Sequence, residues 1–125
     1  AVEDCSEKAK EIYEVVKQAQ KRACESVDEN IQTKVVDKTA RDIITEAGYG
    51  EYFTHRVGHG IGLDPHEEPY LYSDNEKKLK YGMSFTIEPG IYIRNKLGVR
   101  IEDDMLIQEG SKRLTKTIRD LIFVK

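Results

Sequence analysis

The feature that most constrains this 125-residue chain is a change in the spacing of its apolar residues near the middle. In the first half, apolar residues recur every three or four positions, which is the spacing of an amphipathic helix. In the second half they alternate with polar residues, which is the spacing of a strand with one buried face. Helices followed by strands indicate the α+β class, with two N-terminal helices packed on a curved antiparallel sheet.

Two helices are predicted from these spacings. For the first, Asp4 and Glu7 form a pattern typical of a capping box. The second is predicted to have Thr33 as its N-cap and to end at Gly48, because glycine readily takes the positive φ found after a helix. The apolar stripes are Ala9, Ile12, Val16, Ala19 and Ala23 in the first helix, and Val36, Ala40, Ile43, Ile44 and Ala47 in the second.

The second half predicts a β-hairpin from residues 84–93 and 98–107, with a turn in the stretch "RNKLG" between them. A bulge at Pro89–Gly90 is expected to move the register by one residue. A third strand is predicted over residues 112–115, and the stretch "LIFV" at 121–124 is a candidate for a last one.

Two carboxylates occupy matching places on this hairpin. Glu88 and Glu102 are equidistant from Asn95, so they face each other, with Cβ atoms about 4.5–5.5 Å apart. Directly opposed like charges destabilise a sheet, and a shared proton, an arginine or a metal ion must compensate. The alternative is that both glutamates lie on a solvated sheet face, with Arg100 neutralising them.

All the histidines of the chain lie in the stretch "HRVGHGIGLDPHEEP", as His55, His59 and His66. Alternating glycines surround His59, which predicts a turn that projects this side chain into a cleft. The alternative is a surface loop with solvated histidines. Histidine beside paired carboxylates is a ligand set for Zn, Mn or Co, which favours a reactive site.

Size and charge exclude several other classes. The length suits one domain, residues 1–125, and the net charge of −3 argues against nucleic acid or an acidic membrane as partner. A basic run at Lys112, Arg113 and Lys116 is explained by a solvated face. Cys5 and Cys24 lie along one helix, so they are predicted to stay unpaired, as in the cytoplasm, and no apolar run reaches membrane-spanning length.

Three blocks of the sequence, "HRVGHGIGLDPHEEP", "IEPGIYI" and "GVRIEDD", occur in this order. Together they resemble the metallopeptidases with the pita-bread (creatinase/aminopeptidase) fold. That family includes methionine aminopeptidases and the Xaa-Pro aminopeptidases and dipeptidases, or prolidases, and the blocks are more similar to the Xaa-Pro branch. The resemblance covers essentially the whole chain and implies the C-terminal half of that fold.

The resemblance implies hydrolysis of the peptide bond before proline by a water activated on two divalent metal ions, Mn, Co or Zn. His59 and Glu88 match metal ligands, and Glu102 matches the glutamate that bridges both metals. His55 and His66 match histidines that contact substrate and assist catalysis, and Arg100 matches an arginine that could hold Glu102 or a substrate carboxylate.

Two further ligands of the family, both aspartates, come from a hairpin before the first matched helix, and no such pair is found in this sequence. The chain is therefore expected to be inactive alone, to bind one metal weakly or none, and to need the N-terminal half of the domain besides its Xaa-Pro peptide substrate. Self-association as a homodimer could cover the face left open. The alternative function is a catalytically incomplete binding module on the same fold.

Overall fold

The computed structural model describes residues 6–122, which begin with two α-helices, α1 (Glu7–Glu25) and α2 (Thr33–Glu46). Ser6 caps α1, because its hydroxyl oxygen accepts a hydrogen bond from the Ala9 amide at 3.2 Å. Asp4, the residue predicted to open a capping box, and Cys5 lie outside the described residues.

The start of α2 differs from the prediction by one residue. Its N-cap is Gln32, so the prediction of Thr33 as N-cap was wrong. The Thr33 hydroxyl instead donates to the carbonyl oxygen of Asn75 at 2.9 Å, because this side chain is buried against the loop that follows strand β2 (Glu67–Leu71). The end of α2 is as predicted, since Gly48 follows the last turn with a φ of 84°.

Beyond a 3-10 turn at Gly50–Tyr52, the described residues form seven short strands. Five of them make an antiparallel sheet in the order β2-β1-β3-β6-β7, and β4 and β5 make a second, two-stranded sheet. The strands are β1 (Gly58–Gly60), β2 (Glu67–Leu71), β3 (Ser84–Ile87), β4 (Gly90–Ile93), β5 (Leu97–Arg100), β6 (Asp103–Ile107) and β7 (Ser111–Arg113).

The predicted hairpin is present, and it is shared between the two sheets. Its inner part is β4 with β5, and its outer part is β3 with β6. Both parts are centred on Asn95, so the expected bulge at Pro89–Gly90 does not shift the register, and that detail was wrong. The ladder is interrupted between Ile87 and Gly90 on one side and between Arg100 and Asp103 on the other. Glu88 and Glu102 therefore lie opposite each other in this interruption.

The histidine segment contains a strand pair that the sequence did not predict. His59 lies in the middle of β1, which pairs with both β2 and β3, so the prediction of a turn around His59 was wrong. A Cβ atom on Gly58 would lie 1.9 Å from the carbonyl oxygen of Thr86, and one on Gly60 would lie 2.1 Å from that of Glu68. These glycines therefore permit close approach of neighbouring strands, and positive φ is not their role.

The third predicted strand is confirmed as β7, which starts one residue earlier and ends two residues earlier than expected. The predicted last strand was wrong for Leu121 and Ile122, which belong to no strand, and residues 123–124 lie outside the described part. Side chains hold the last described residues against α1: the Tyr13 hydroxyl donates to the Arg119 carbonyl oxygen at 3.1 Å, and Lys17 pairs with Asp120 at 2.8 Å.

The hydrophobic core lies between the two helices and the sheets, which confirms the α+β prediction of two helices on an antiparallel sheet. Both helices present most of the predicted stripes to it, but Ala9 is only half-buried and Ala47 is exposed, since it is the C-cap beyond the last turn of α2. Its largest fully buried apolar side chains are Phe85, Ile12, Ile44, Leu71, Leu79, Ile87, Ile91 and Ile107. Within residues 6–122, neither helix combines the length and the apolar character that crossing a membrane requires.

Candidate active site

A cleft of about 510 Å³ opens where the interrupted hairpin meets β1. All three histidines reach it, together with one of the two predicted glutamates and the predicted arginine. Its lining consists of His55, Arg56, His59, His66, Tyr70, Tyr72, Glu88 and Arg100. The structure thus brings five of the six predicted site residues to one cavity.

His59 and Glu88 form the centre of the cleft. The Nε2 atom of His59 lies 3.1 Å from Oε1 of Glu88, and its Nδ1 atom lies 2.9 Å from the carbonyl oxygen of Gly60. A carbonyl oxygen only accepts, so Nδ1 carries a proton and Nε2 is directed at the carboxylate. Both ring nitrogens therefore face acceptors, and only a second proton or a cation between Nε2 and the carboxylate satisfies both.

Glu88 is buried, with 8 % of its surface exposed, so the alternative of a solvated sheet face was wrong for this residue. Three groups support its carboxylate: His59, the Thr86 hydroxyl, which donates to Oε1 at 2.9 Å, and Arg100, whose Nη1 lies 3.2 Å from Oε2. The Thr86 oxygen also accepts a hydrogen bond from the His59 amide at 3.1 Å. One hydroxyl thus couples both residues.

Glu102 is exposed and lines a neighbouring cavity of about 270 Å³, to which Arg100 also contributes, and it does not line the main cleft. Partial burial of its carboxyl group raises its pKa, and the negative charges of Glu88 and Asp104 add to this effect. The proximity of like charges that the hairpin register predicts is therefore present, and the positive charge of Arg100 opposes its effect on Glu102.

The other two histidines occupy different environments. His55 packs edge-on against Phe53 and Tyr92, and its Nδ1 donates to the Arg56 carbonyl oxygen at 2.7 Å. Its Nε2 is buried with no hydrogen-bond partner among the described residues. Burial lowers the pKa of His55, which favours the neutral ring. His66 is exposed at the cleft mouth, and its ring centroid lies 4.5 Å from that of His59.

Sequence reasoning missed several residues of the cleft. Thr86 could have been found, because it falls two positions before Glu88 on an alternating strand and so shares its face. Arg56, Tyr70 and Tyr72 carried no local signal, since the pairing of β1 with β2 brings them together. Arg56 lies over the Tyr70 ring, with its guanidinium carbon 4.7 Å from the ring centroid.

A second charged cluster lies beneath the hairpin, around the buried carboxylate of Asp103. It accepts a hydrogen bond from Gln20 of α1 at 2.6 Å and is paired with Arg119 and, at 3.6 Å, with Arg113. The basic run is solvent-exposed, as interpreted, although Arg113 also pairs with Asp103. The thiol of Cys24 is adjacent, and burial raises its pKa to about 11, as expected for an unreactive thiol.

Comparison with known proteins decides the family. Residues 1–109 match the family model of Metallopeptidase family M24. The chain belongs to metallopeptidase family M24. This confirms the family that the three sequence blocks indicated.

Relatives of this M24 chain carry names from the Xaa-Pro branch. It is 58 % identical over 118 residues to an Xaa-Pro dipeptidase of Pyrococcus horikoshii, a match that covers 94 % of this chain and 34 % of the relative. The chain thus spans about a third of the length of that relative.

Solved structures agree on the fold. A prolidase from Thermococcus sibiricus superposes with a TM-score of 0.97 at 54 % identity, over 99 % of this chain and 34 % of that one. An X-Pro aminopeptidase from Thermotoga maritima gives a TM-score of 0.93 at 40 % identity, over 99 % and 36 %. The M24 chain therefore has the fold of the pita-bread prolidases over its whole described length.

Membership of a metallopeptidase family implies a divalent metal cofactor, and the donor atoms of the cleft can be tested for it. Adjacent ligands on one tetrahedral metal, with bonds of about 2.0–2.2 Å, lie about 3.3–3.6 Å apart, a few tenths of an ångström more than the 3.1 Å between His59 Nε2 and Glu88 Oε1. The Gly60 carbonyl oxygen accepts a hydrogen bond from Nδ1 of His59, the ring nitrogen that points away from Glu88, as is usual for ligating histidines. No group of three or more His, Cys, Asp or Glu side chains within residues 6–122 is arranged to hold a metal. The chain thus fits as a donor of part of a ligand set.

Proposed function

We propose that this chain forms one wall of the active site of a metal-dependent peptidase that hydrolyses the peptide bond before proline, as an Xaa-Pro dipeptidase or aminopeptidase. The observation that carries the proposal is the buried His59–Glu88 pair, which faces an open cleft in a member of family M24. The names of the relatives support the choice of substrate.

Three residues of the chain are proposed as metal ligands: His59 and Glu88 inside the cleft, and Glu102, which lines the neighbouring cavity and would, by the family resemblance, be shared between two ions. Their imidazole and carboxylate donors suit Mn, Co or Zn. When bound, two such ions supply an activated water and polarise the peptide carbonyl. The Arg100 guanidinium holds Glu88 in place, since its Nη1 lies 3.2 Å from Oε2 of that carboxylate.

Three residues are proposed to contact the peptide. The buried Nε2 of His55 has no partner among the described residues and is free to accept a hydrogen bond from the substrate. His66, at the mouth of the cleft beside His59, is placed to stabilise charge that develops on the scissile carbonyl. Arg100 is exposed enough to meet a substrate carboxylate as well.

The proposed partner of this wall is the N-terminal half of the catalytic domain, which by the family resemblance supplies two aspartate ligands. Without them the chain is expected to be inactive and to bind one metal weakly or none. A homodimer is a second way to cover the open face. The cytoplasm is the proposed location, because Cys24 is a free thiol.

A binding module on the same fold is the second candidate function. It is favoured by one observation, the lack of an assembled three-ligand group in the part of the chain that the structure describes. The two candidates differ in what Glu88 is for. A binding module needs it only for packing with Arg100, whereas the peptidase needs its charge at the metal.

The test is Xaa-Pro dipeptide hydrolysis with added Mn²⁺ or Co²⁺, in three samples: the full-length protein containing this chain, the same protein with Glu88→Gln, and the isolated chain. We expect turnover only in the first, with Glu88→Gln lowering kcat/KM by more than about 100-fold. The exposed Glu51→Gln variant is the matched control and should match the parent. Full activity in Glu88→Gln would refute the proposed site, and robust turnover by the isolated chain would refute the need for a second half.

A further inference from the structure

A buried ion pair on α2 lies behind the cleft and belongs to no part of the site described above. Asp37 is fully buried, and its carboxylate receives two hydrogen bonds from the Arg41 guanidinium, at 2.8 Å and 3.0 Å. The pair sits one helical turn apart, on the stripe that faces the core. A buried carboxylate is costly unless its oxygens are fully hydrogen-bonded, so its partners show what the pair does.

The guanidinium of Arg41 extends beyond Asp37 to the backbone that leads into β1. Its Nη1 donates to the carbonyl oxygen of Phe53 at 2.8 Å, and its Nη2 donates to that of His55 at 3.0 Å. The guanidinium carbon also lies 4.2 Å from the centroid of the Phe53 ring. Arg41 thus holds the chain on both sides of Thr54, four to six residues before His59.

The carboxylate of Asp37 completes the link to the other half of the centre. Its Oδ1 accepts a hydrogen bond at 3.1 Å from the Val57 amide, which also donates to the Leu71 carbonyl oxygen at 3.0 Å. The carbonyl oxygen of the same Val57 accepts a hydrogen bond from the Glu88 amide at 2.7 Å. A single peptide segment therefore connects Asp37 with Glu88, and it lies two residues from His59.

We propose that the Asp37–Arg41 pair is a positioning device that sets the distance between His59 and Glu88, and so tunes the metal affinity of this wall of the cleft. The effect on metal affinity rests on the proposed function, whereas the positioning role rests on the hydrogen bonds of residues 37–57. Neither residue touches the cleft centre, so both act through the 53–57 backbone.

The geometry requires arginine at position 41. The planar Arg41 guanidinium donates four hydrogen bonds. Two go to the carboxylate oxygens of Asp37, and two go to backbone carbonyl oxygens. The ammonium of a lysine is a point charge with three donors on a flexible stem, so it can keep the ion pair but cannot span all four acceptors. Arg41→Lys therefore keeps the positive charge beside Asp37 and removes hydrogen bonds to the 53–55 backbone, so it tests the positioning role alone.

The experiment compares the full-length protein, its Arg41→Lys variant and a control, Ile44→Val, which trims the same buried helix face and removes no hydrogen bond to residues 53–57. Two quantities are measured: amide hydrogen exchange at Val57 and Glu88, and affinity for Co²⁺. We expect Arg41→Lys to speed exchange at both amides more than the control does, and to weaken Co²⁺ binding by about 10–100-fold, the usual effect of losing an outer partner.

The double variant Asp37→Leu/Arg41→Met serves as a second measurement, because replacing a buried ion pair by apolar residues often restores stability. Positioning predicts that Co²⁺ affinity stays low even when thermal stability returns. Recovery of affinity together with stability, or exchange at Val57 and Glu88 no faster in Arg41→Lys than in Ile44→Val, would overturn the inference. If the parent protein binds no Co²⁺, the proposed function fails, and the exchange data alone still decide the positioning role.

Discussion

The Nε2 atom of His59 lies 3.1 Å from Oε1 of Glu88, and this contact joins the middle of β1 to the residue that follows β3. The two side chains come from segments 29 positions apart, and the Thr86 hydroxyl bonds to both. The contact thus depends on strand pairing and on one buried hydroxyl, which makes it open to test by single substitutions.

Thr86→Val keeps the shape of the side chain and removes the hydroxyl. The His59 amide loses an acceptor and Glu88 loses a donor inside the sheet, so we expect a loss of about 1–3 kcal/mol in the free energy of unfolding. Denaturant unfolding measures this, with the exposed Thr117→Val as control. Equal stability of the two variants would contradict the coupling.

His55 is expected to titrate below its ordinary pKa of 6.5, because burial disfavours the charged ring. A group whose pKa is lowered by folding stabilises the fold fully above its unfolded value, and this contribution is lost as the pH falls below it. Stability should therefore decline below about pH 6.5, and less so in His55→Gln. Ring-proton NMR follows the titration directly; a midpoint at or above 6.5 would count against the buried environment.

Glu102→Gln is expected to stabilise the metal-free protein at pH 7. The raised pKa of Glu102 means that its ionised form is disfavoured in the fold, so the penalty applies above the raised pKa and disappears below the unfolded value of 4.5. Because the side chain is exposed, the gain should stay below about 1 kcal/mol. Thermal unfolding at pH 7 and pH 3 tests this, and a gain of equal size at both would exclude the electrostatic explanation.

Gly58→Ala should force β1 away from β3, since the added methyl group would overlap the carbonyl oxygen of Thr86. Overpacking of this kind costs about 1–3 kcal/mol, and here it also displaces His59. Gly62→Ala is the matched control, because there the atoms nearest to the methyl group belong to the carboxylate end of the Glu67 side chain and not to the backbone. The melting temperature should fall clearly further in Gly58→Ala; similar values would show that the strands can separate at little cost.

Asp103→Asn removes the charge that two arginines share beneath the hairpin. Breaking a buried pair from one side leaves an uncompensated charge and costs about 3–5 kcal/mol. The segment 114–122 should then detach from α1, which limited trypsin digestion detects as early cleavage after Lys116. Asp104→Asn, on the next position of the same strand, should digest like the parent.

The placement of Glu88 and Glu102 could be predicted because the register of a hairpin follows from the centre of its turn. The three-residue turn 94–96 is centred on the predicted residue, so the predicted register is correct. The family could be predicted because its motifs are contiguous in sequence. His59 was placed correctly in a cleft for a reason that was wrong, since its glycines serve strand packing.

Other parts of the centre depend on contacts between distant segments, which no local pattern encodes. Asp37 did leave a trace: a charged residue on an apolar helical stripe, followed four positions later by Arg41, is a signal for a buried pair. Asp103 left a similar trace, since it falls between Ile101 and Met105 on the apolar face of an alternating strand, but its partners come from α1 and from the last described residues and could not be read from it. Local periodicity predicts which face of an element is buried, but it does not predict which residues pair with a buried charge.

The interruption of the ladder at Glu88 also determines where this chain can change length. An insertion at Asn95 lies beyond the last paired residues, Ile93 and Leu97. It therefore does not change the register of the strand pairs between the turn and the cleft. One extra residue between Ile87 and Gly90 would rotate one glutamate to the opposite face of the hairpin. Natural and engineered variants of this chain should therefore differ in the length of the distant turn and agree, to the residue, in the two short gaps that hold the glutamates.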